Sequence, residues 1–180
     1  AHSFQSDQWD RPRGGGGVTM VMSNGKIIEK AGVNISAVQG SISESESPVF
    51  SKMLAKQNIP HDQVTGCHFF ATGLSLVIHP RNPHAPTTHA NFRYFELMLG
   101  ERIVWWFGGG LDMTPYVFYK EDAQHFHTCL KHTCDTFDLS YYPKFKEWCD
   151  SYFYLPHRRE HRGIGGIFFD YLKADNPETI

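Results

Sequence analysis

At 180 residues the chain has room for one domain with a real core and no need of a second. A formal charge of -2 and a pI near 6.6 argue against a general nucleic-acid binder, whose basic face would show in the totals. Hydrophobic residues at 41% and charged ones at 20% are ordinary, but 14% aromatic and eleven histidines exceed what packing calls for, and suggest a large flat ligand or a broad interface.

From the N-terminus, everything through Gly14–Gly17 reads as loop. Val18–Met22 and Lys26–Lys30 flank Ser23-Asn24-Gly25, a hairpin signal that predicts a two-stranded edge. GVNISAVQG, from Gly32, leads into SISESESP, which has no hydrophobic period; a mobile surface connection without catalytic residues is expected over Ser41–Pro48. A short helix is predicted near Pro48–Gln57. Two short strands on either side of a proline-rich bend follow, within SLVIHPRNPHAPTTHANFR. The longest apolar stretch, roughly Phe69–Ile78, falls well short of the ~20 residues of a membrane span. With no transmembrane segment and no leader pattern, the cytoplasm is the expected compartment, or the mitochondrial intermembrane space if a leader has been lost.

Arg102–Phe107, then GGG, then an extended run through Tyr119 continue the strand pattern, and strands joined by short turns predict antiparallel pairing. A helix is predicted over Glu121–Phe137, with acidic residues in its first turn. Its apolar stripe is Ala123, Phe126, Leu130, Cys134 and Phe137; His127 falls inside it, His125 and His132 opposite. A second helix takes Pro143 into its first turn, stacks Phe145, Trp148, Cys149 and Tyr152, and ends near Pro156. GIGGIFFDYL reads as a final strand entered through a glycine-rich turn. The four cysteines form no C-x-x-C pair and read as free, buried thiols in a reducing compartment.

Strand alternation turns these elements into chemistry. Ser75, Val77 and His79 project to one face of their strand, and across the bend His89, Asn91 and Arg93 share a face. A proton-transfer group, an amide and a guanidinium then stand in a row. Arginine can clamp a carboxylate with two parallel hydrogen bonds, so an anionic substrate is the natural partner; the structural alternative is a salt bridge from Arg93 to Glu96 or another acid. His79, His89, His127 and His157 are candidates for proton transfer or for a metal. Asp112 follows three glycines and is read either as a base or as a turn residue near Thr114. Of Arg158, Arg159 and Arg162, at most one is given a function. Neither glycine run carries a nucleotide-loop pattern, and no nucleophile motif is present.

The strings GVNIS, SLVIHPRNPHAPTTHANFR, WWFGGGLDMTPY and YYPKFKEWCDSYFYLPHRREHRGIGGIFFD together resemble oxygen-dependent coproporphyrinogen III oxidases over nearly the whole chain. The resemblance implies an α+β fold, a large, flat, mainly antiparallel sheet covered by helices on both sides, assembled as a homodimer. It implies oxidative decarboxylation of two propionates of coproporphyrinogen III to vinyl groups, with O2 as co-substrate and no organic cofactor. Position by position it makes Ser75, Asn91 and Arg93 substrate-binding, His89 a proton donor, Asp112 an acid acting on the pyrrole, and His79, His89, His127 and His157 ligands of a divalent metal. Residues 1–180 are expected to be one domain that lacks the family's N-terminal helix and about its last third. A tetrapyrrole-binding or dimerising remnant without turnover, and a histidine-ligated metal-dependent oxygenase, are the alternatives.

Overall fold

Seven strands, each hydrogen-bonded to its neighbour in sequence, form one antiparallel sheet in the computed structural model, which describes residues 3–173. In order they are β1 (Gln5–Asp10), β2 (Gly15–Ser23), β3 (Ile28–Ser41), β4 (His68–Pro80), β5 (Thr87–Leu99), β6 (Arg102–Thr114) and β7 (Gly166–Leu172). Three α-helices accompany them: α1 (Ser47–Leu54), α2 (Lys120–Asp135) and α3 (Tyr141–Tyr152). At ~3.4 Å per residue, the 13-residue β4, β5 and β6 make a platform ~45 Å long.

The register fixes which side chains share a face. Ser75 lies opposite Asn91, Val77 opposite His89 and Gly73 opposite Arg93. On the next strand His89 pairs with Asp112, Arg93 with Gly108, and Phe95 with Trp106. Alternation therefore puts Ser75, His89, Asn91, Arg93 and Asp112 on one face, here the first face. At one end of that face Phe69, Phe95, Leu97, Val104 and Trp106 pack under Leu54 of α1 and under Ile59 and Val64, forming the main core. The polar residues lie farther along the same strands, beyond the edge of α1. A smaller core on the second face joins Leu130 and Cys134 of α2 and Phe145 of α3 to Ile167 of β7.

Helix α3 runs beside β7 and reaches both faces, with Phe145 against Phe169 and Tyr152 stacked on Phe168. The expected cover by helices on both sides is met only in part: across β2–β5 the second face leaves Met20, Ile35, Leu74 and Phe92 between 36% and 55% exposed. No helix among the described residues is long and apolar enough to cross a membrane.

Several local expectations change. The N-terminal loop contains β1, every residue of which is exposed, so no hydrophobic alternation announced it. All but the first glycine of the run belong to β2; Gly15, Gly16 and Gly17 pair with Val38, Ala37 and Ser36. The SISESESP segment is a hydrogen-bonded turn in which Glu46 accepts from both the amide and the hydroxyl of Ser43 and pairs with Arg11 and Arg13. The GGG of residues 108–110 lies inside β6, and the extended run stops at Thr114. Phe137, placed in the apolar stripe of α2, is exposed beyond the end of the helix. All four cysteines are free; Cys134 and Cys149 are buried, Cys129 is exposed.

Candidate functional site

The central part of the first face is built on a carboxylate. Asp112, only 3% exposed, accepts from His89 Nδ1 at 2.7 Å through Oδ1. Arg162 forks onto the same carboxylate, Nε to Oδ2 at 2.8 Å and Nη2 to Oδ1 at 2.7 Å. Burial alone pushes the Asp112 pKa up, but the hydrogen bonds and charges of His89 and Arg162 outweigh it and hold the carboxyl below the usual aspartate value. An ionised acceptor on Nδ1 means that His89 donates from that nitrogen. Its Nε2, with no partner among the described residues, is then the atom available to a ligand.

Arg162 reaches Asp112 because of the glycines around it. The RGIGG turn pairs with β6 through Ile164 N–H to Met113 carbonyl at 3.0 Å and Met113 N–H to Gly165 carbonyl at 3.2 Å. Gly163 has φ +54°, and a Cβ there would lie 2.2 Å from the Met113 carbonyl oxygen, so only glycine lets the turn come this close. The guanidinium also lies 3.5 Å from the centre of the Phe153 ring, a cation–π contact that braces it from the other side.

Beside this triad, Ser75, Asn91 and Arg93 line a cavity of about 260 Å³ together with Asn34 and Asp170. Ser75 Oγ accepts from Asn34 Nδ2 at 3.4 Å, and the buried Oδ1 of Asn91 has no partner among the described residues. Such an unmet acceptor costs about 1–3 kcal/mol until a donor reaches it. Arg93 pairs through Nη2 with Asp170 Oδ2 at 2.8 Å, so the salt-bridge alternative holds with Asp170 and not with Glu96, which accepts from Tyr94. Its side chain is still 41% exposed. Gly108 makes the pair possible, because a Cβ there would meet Asp170 Oδ1 at 2.5 Å and Arg93 Nε at 2.7 Å. His89 and Asp112, with Val77, His79 and Arg162, line an adjoining cavity of about 340 Å³.

The structure thus brings Ser75, His89, Asn91, Arg93 and Asp112 together. The four expected metal ligands it does not. His79 and His89 share the second cavity, but His127 sits on α2 with both ring nitrogens engaged, Nε2 by the Ile164 carbonyl at 2.9 Å and Nδ1 by the Tyr142 hydroxyl at 3.0 Å. His127 therefore tethers the turn that carries Arg162. His157 is exposed in the segment after α3. Among the described residues no group of three or more His, Cys, Asp or Glu side chains is placed to hold a metal ion. The set does not fit a single metal.

Two site residues escaped the sequence reading. Arg162 was one of three arginines in a charged cluster, and the close-packing RGIGG turn was the available signal. Asp170 had none, since its pairing depends on the β6–β7 register.

The family model for coproporphyrinogen III oxidase matches residues 1–180. The chain is 51% identical over 178 residues to the oxygen-dependent coproporphyrinogen-III oxidase of Drosophila melanogaster, covering 98% of this chain and 44% of that protein. It is 48% identical over 179 residues to the human mitochondrial enzyme of that name, covering 99% and 39%. It is 47% identical over 182 residues to coproporphyrinogen-III oxidase 1, chloroplastic, of Arabidopsis thaliana, covering 98% and 46%. The chain spans less than half the length of these relatives.

Proposed function

The chain belongs to the coproporphyrinogen III oxidase family, and from that premise we propose that it binds coproporphyrinogen III on the first face of the sheet and takes part in its O2-dependent conversion to protoporphyrinogen IX. The observation that carries this reading is the convergence, on one ledge, of a buried ion-paired carboxylate, a cavity-lining histidine with one nitrogen unpartnered among the described residues, and a half-exposed arginine. Each step converts one propionic acid side chain and one O2 to a vinyl group, CO2 and H2O2. Two such steps give the product. The reduced macrocycle is electron-rich enough to react with O2 itself, so the reaction needs no organic electron carrier.

Arg93, with Ser75 and Asn91 beside it, holds a propionate by charge-assisted hydrogen bonds. The pyrrole N–H groups are donors that suit an unmet amide oxygen such as that of Asn91. Proton transfer falls to His89 through Nε2. Asp112 has both oxygens occupied and almost no accessible surface, so its role is to orient and charge-stabilise His89 and not to meet the pyrrole. O2 adds to the ring once the pyrrole N–H proton has been removed. The ring-bound peroxide then takes a hydrogen from the propionate carbon next to the ring, its bond to the ring breaks, and it departs as H2O2 with the acid proton of that side chain. CO2 leaves as the vinyl group forms, and the pyrrole nitrogen regains its proton.

The half-exposed apolar second face supports a homodimer with further helical cover in the assembled protein, which light scattering on the full-length protein would test. The mitochondrial and chloroplastic names of the human and Arabidopsis relatives support an organelle over the cytoplasm. The test of function is incubation of the full-length protein with coproporphyrinogen III under air and under argon, with chromatographic separation of products. Protoporphyrinogen IX should form only with O2. Failure to form it under air would count against an enzyme and for a binding remnant.

A further inference from the structure

Beyond the triad, at the β2–β3 hairpin end of the first face, lies a third cavity of about 550 Å³, whose lining includes Asn24, Glu29, Lys30, His79, Arg81 and Tyr116. Two of these residues, His79 and Tyr116, also line the cavity of His89 and Asp112. The two spaces are therefore neighbours that share a wall. The register explains why: Lys30 pairs with His79 on β4, and two residues back Val77 pairs with His89 on β5.

Lys30 and Arg81 make this end of the ledge cationic. Neither belongs to an ion pair among the described residues. Arg81 is held by the hairpin, its backbone N–H donating to the Ile27 carbonyl at 2.8 Å and its Nε to the Gly25 carbonyl at 3.1 Å. That anchorage uses one of five guanidinium N–H groups and leaves the terminal ones for a ligand. Glu29 lowers the local charge and limits the site to a single anionic group.

We propose that this cavity is a second carboxylate subsite, in which Lys30 and Arg81 take a propionate of the tetrapyrrole other than the one held at Arg93. The inference rests on the function proposed above. The spacing supports it. Arg93 pairs with Gly73 and Gly73 with Ser36, six residues along β3 from Lys30. Two strand spacings and six residues put the two cations roughly 22 Å apart at their Cα atoms. Arg93 leans over Gly108 toward Asp170 on β7, and the long side chain of Lys30, with no ion partner among the described residues, has the reach along the face to bring the gap to the span of a macrocycle with propionates extended on opposite edges. His89 lies between the two ends, where a ring carrying a reacting side chain would rest. A ligand gripped at one end only could swing across the ledge; grip at both fixes which ring faces His89.

The test uses the full-length protein and two non-reacting probes, coproporphyrin III and its tetramethyl ester, titrated by fluorescence against wild type, Lys30→Met and Lys30→Arg. The proposal expects Lys30→Met to weaken the tetra-acid about 3- to 10-fold, to leave the ester unchanged, and to be rescued by arginine. In turnover the same variant should raise KM more than it lowers kcat. Tetra-acid binding equal to wild type would overturn the subsite, and so would an equal loss for acid and ester, which would indicate damage to the hairpin. Wild-type protein that binds neither probe would overturn the tetrapyrrole reading itself along with the subsite.

Discussion

Two arginine–aspartate pairs stand on one face of the sheet, a few residues apart, and burial sets them different tasks. Arg162 binds Asp112 through two nitrogens, and the aspartate side chain is only 2% exposed. Arg93 binds Asp170 through one nitrogen; the aspartate side chain is 17% exposed and the arginine 41%. The first pair is closed, its donors spent on fixing a carboxylate that in turn fixes His89. The second is open, with donors left over. Solvent access makes the difference: one arginine is spent as a frame, while the other keeps donors free for the propionate that the proposed function assigns to it.

Asp112→Ala should break the closed pair with the largest effect. It leaves a guanidinium and an imidazole without their acceptor, and should cost about 2–4 kcal/mol, toward the low end because Arg162 is a third exposed. Urea denaturation checks the stability, and product chromatography should show turnover reduced at least as far as for loss of His89. The same carboxylate sets an acid dependence. Its pKa is lowered on folding, so its stabilising contribution is complete above the ordinary aspartate value and lost as pH falls through the lowered one. The stability gap between wild type and Asp112→Asn should hold constant above about pH 5 and shrink below about pH 4.

His89→Ala should reduce kcat by about 10²–10⁴ while coproporphyrin binding is kept. Normal turnover would remove His89 from proton transfer. Arg93→Ala should act chiefly on substrate, raising KM on the order of 10-fold and costing under about 1 kcal/mol in denaturation, as expected of a half-exposed pair. The smallest effect is expected from Asp170→Asn, within about 0.5 kcal/mol of wild type in stability, with substrate binding equal or tighter because Arg93 loses a competitor. Weakened binding in that variant would mean that Asp170 aims Arg93 and does not compete for it.

How legible this was depended on whether the signal was local. Alternation placed His89, Asn91 and Arg93 on one face of their strand, and Ser75 with His79 on one face of theirs, because period two along a strand needs no knowledge of its neighbours; that the two faces are the same one comes from the β4–β5 register. The stripe of α2 likewise found Leu130 and Cys134. The partners that decide what the site can do come from elsewhere in the chain: Arg162 is 50 residues from Asp112, and Asp170 is 77 from Arg93. Strand β1 was hidden because both its faces meet solvent, so pairing with β2, not burial, makes it a strand. His127 was correctly turned inward by its place on the helix, but its partners, a carbonyl and a hydroxyl, could not be foreseen.

The sequential order of the strands bears on how the molecule comes together. Each strand meets the one made just before it, so the sheet grows by successive hairpins, and most loops that must close are short. Two connections are longer: α1 lies between β3 and β4, and α2 and α3 lie between β6 and β7, so that β7 joins last and arrives with Arg162 in the turn ahead of it and Asp170 within it. The strands bearing Ser75, His89, Asn91, Arg93 and Asp112 can thus assemble before their charge partners arrive. Docking of the last strand then works as a latch, closing over the Asp112 carboxylate and bringing the neighbouring arginine its counter-ion in a single event.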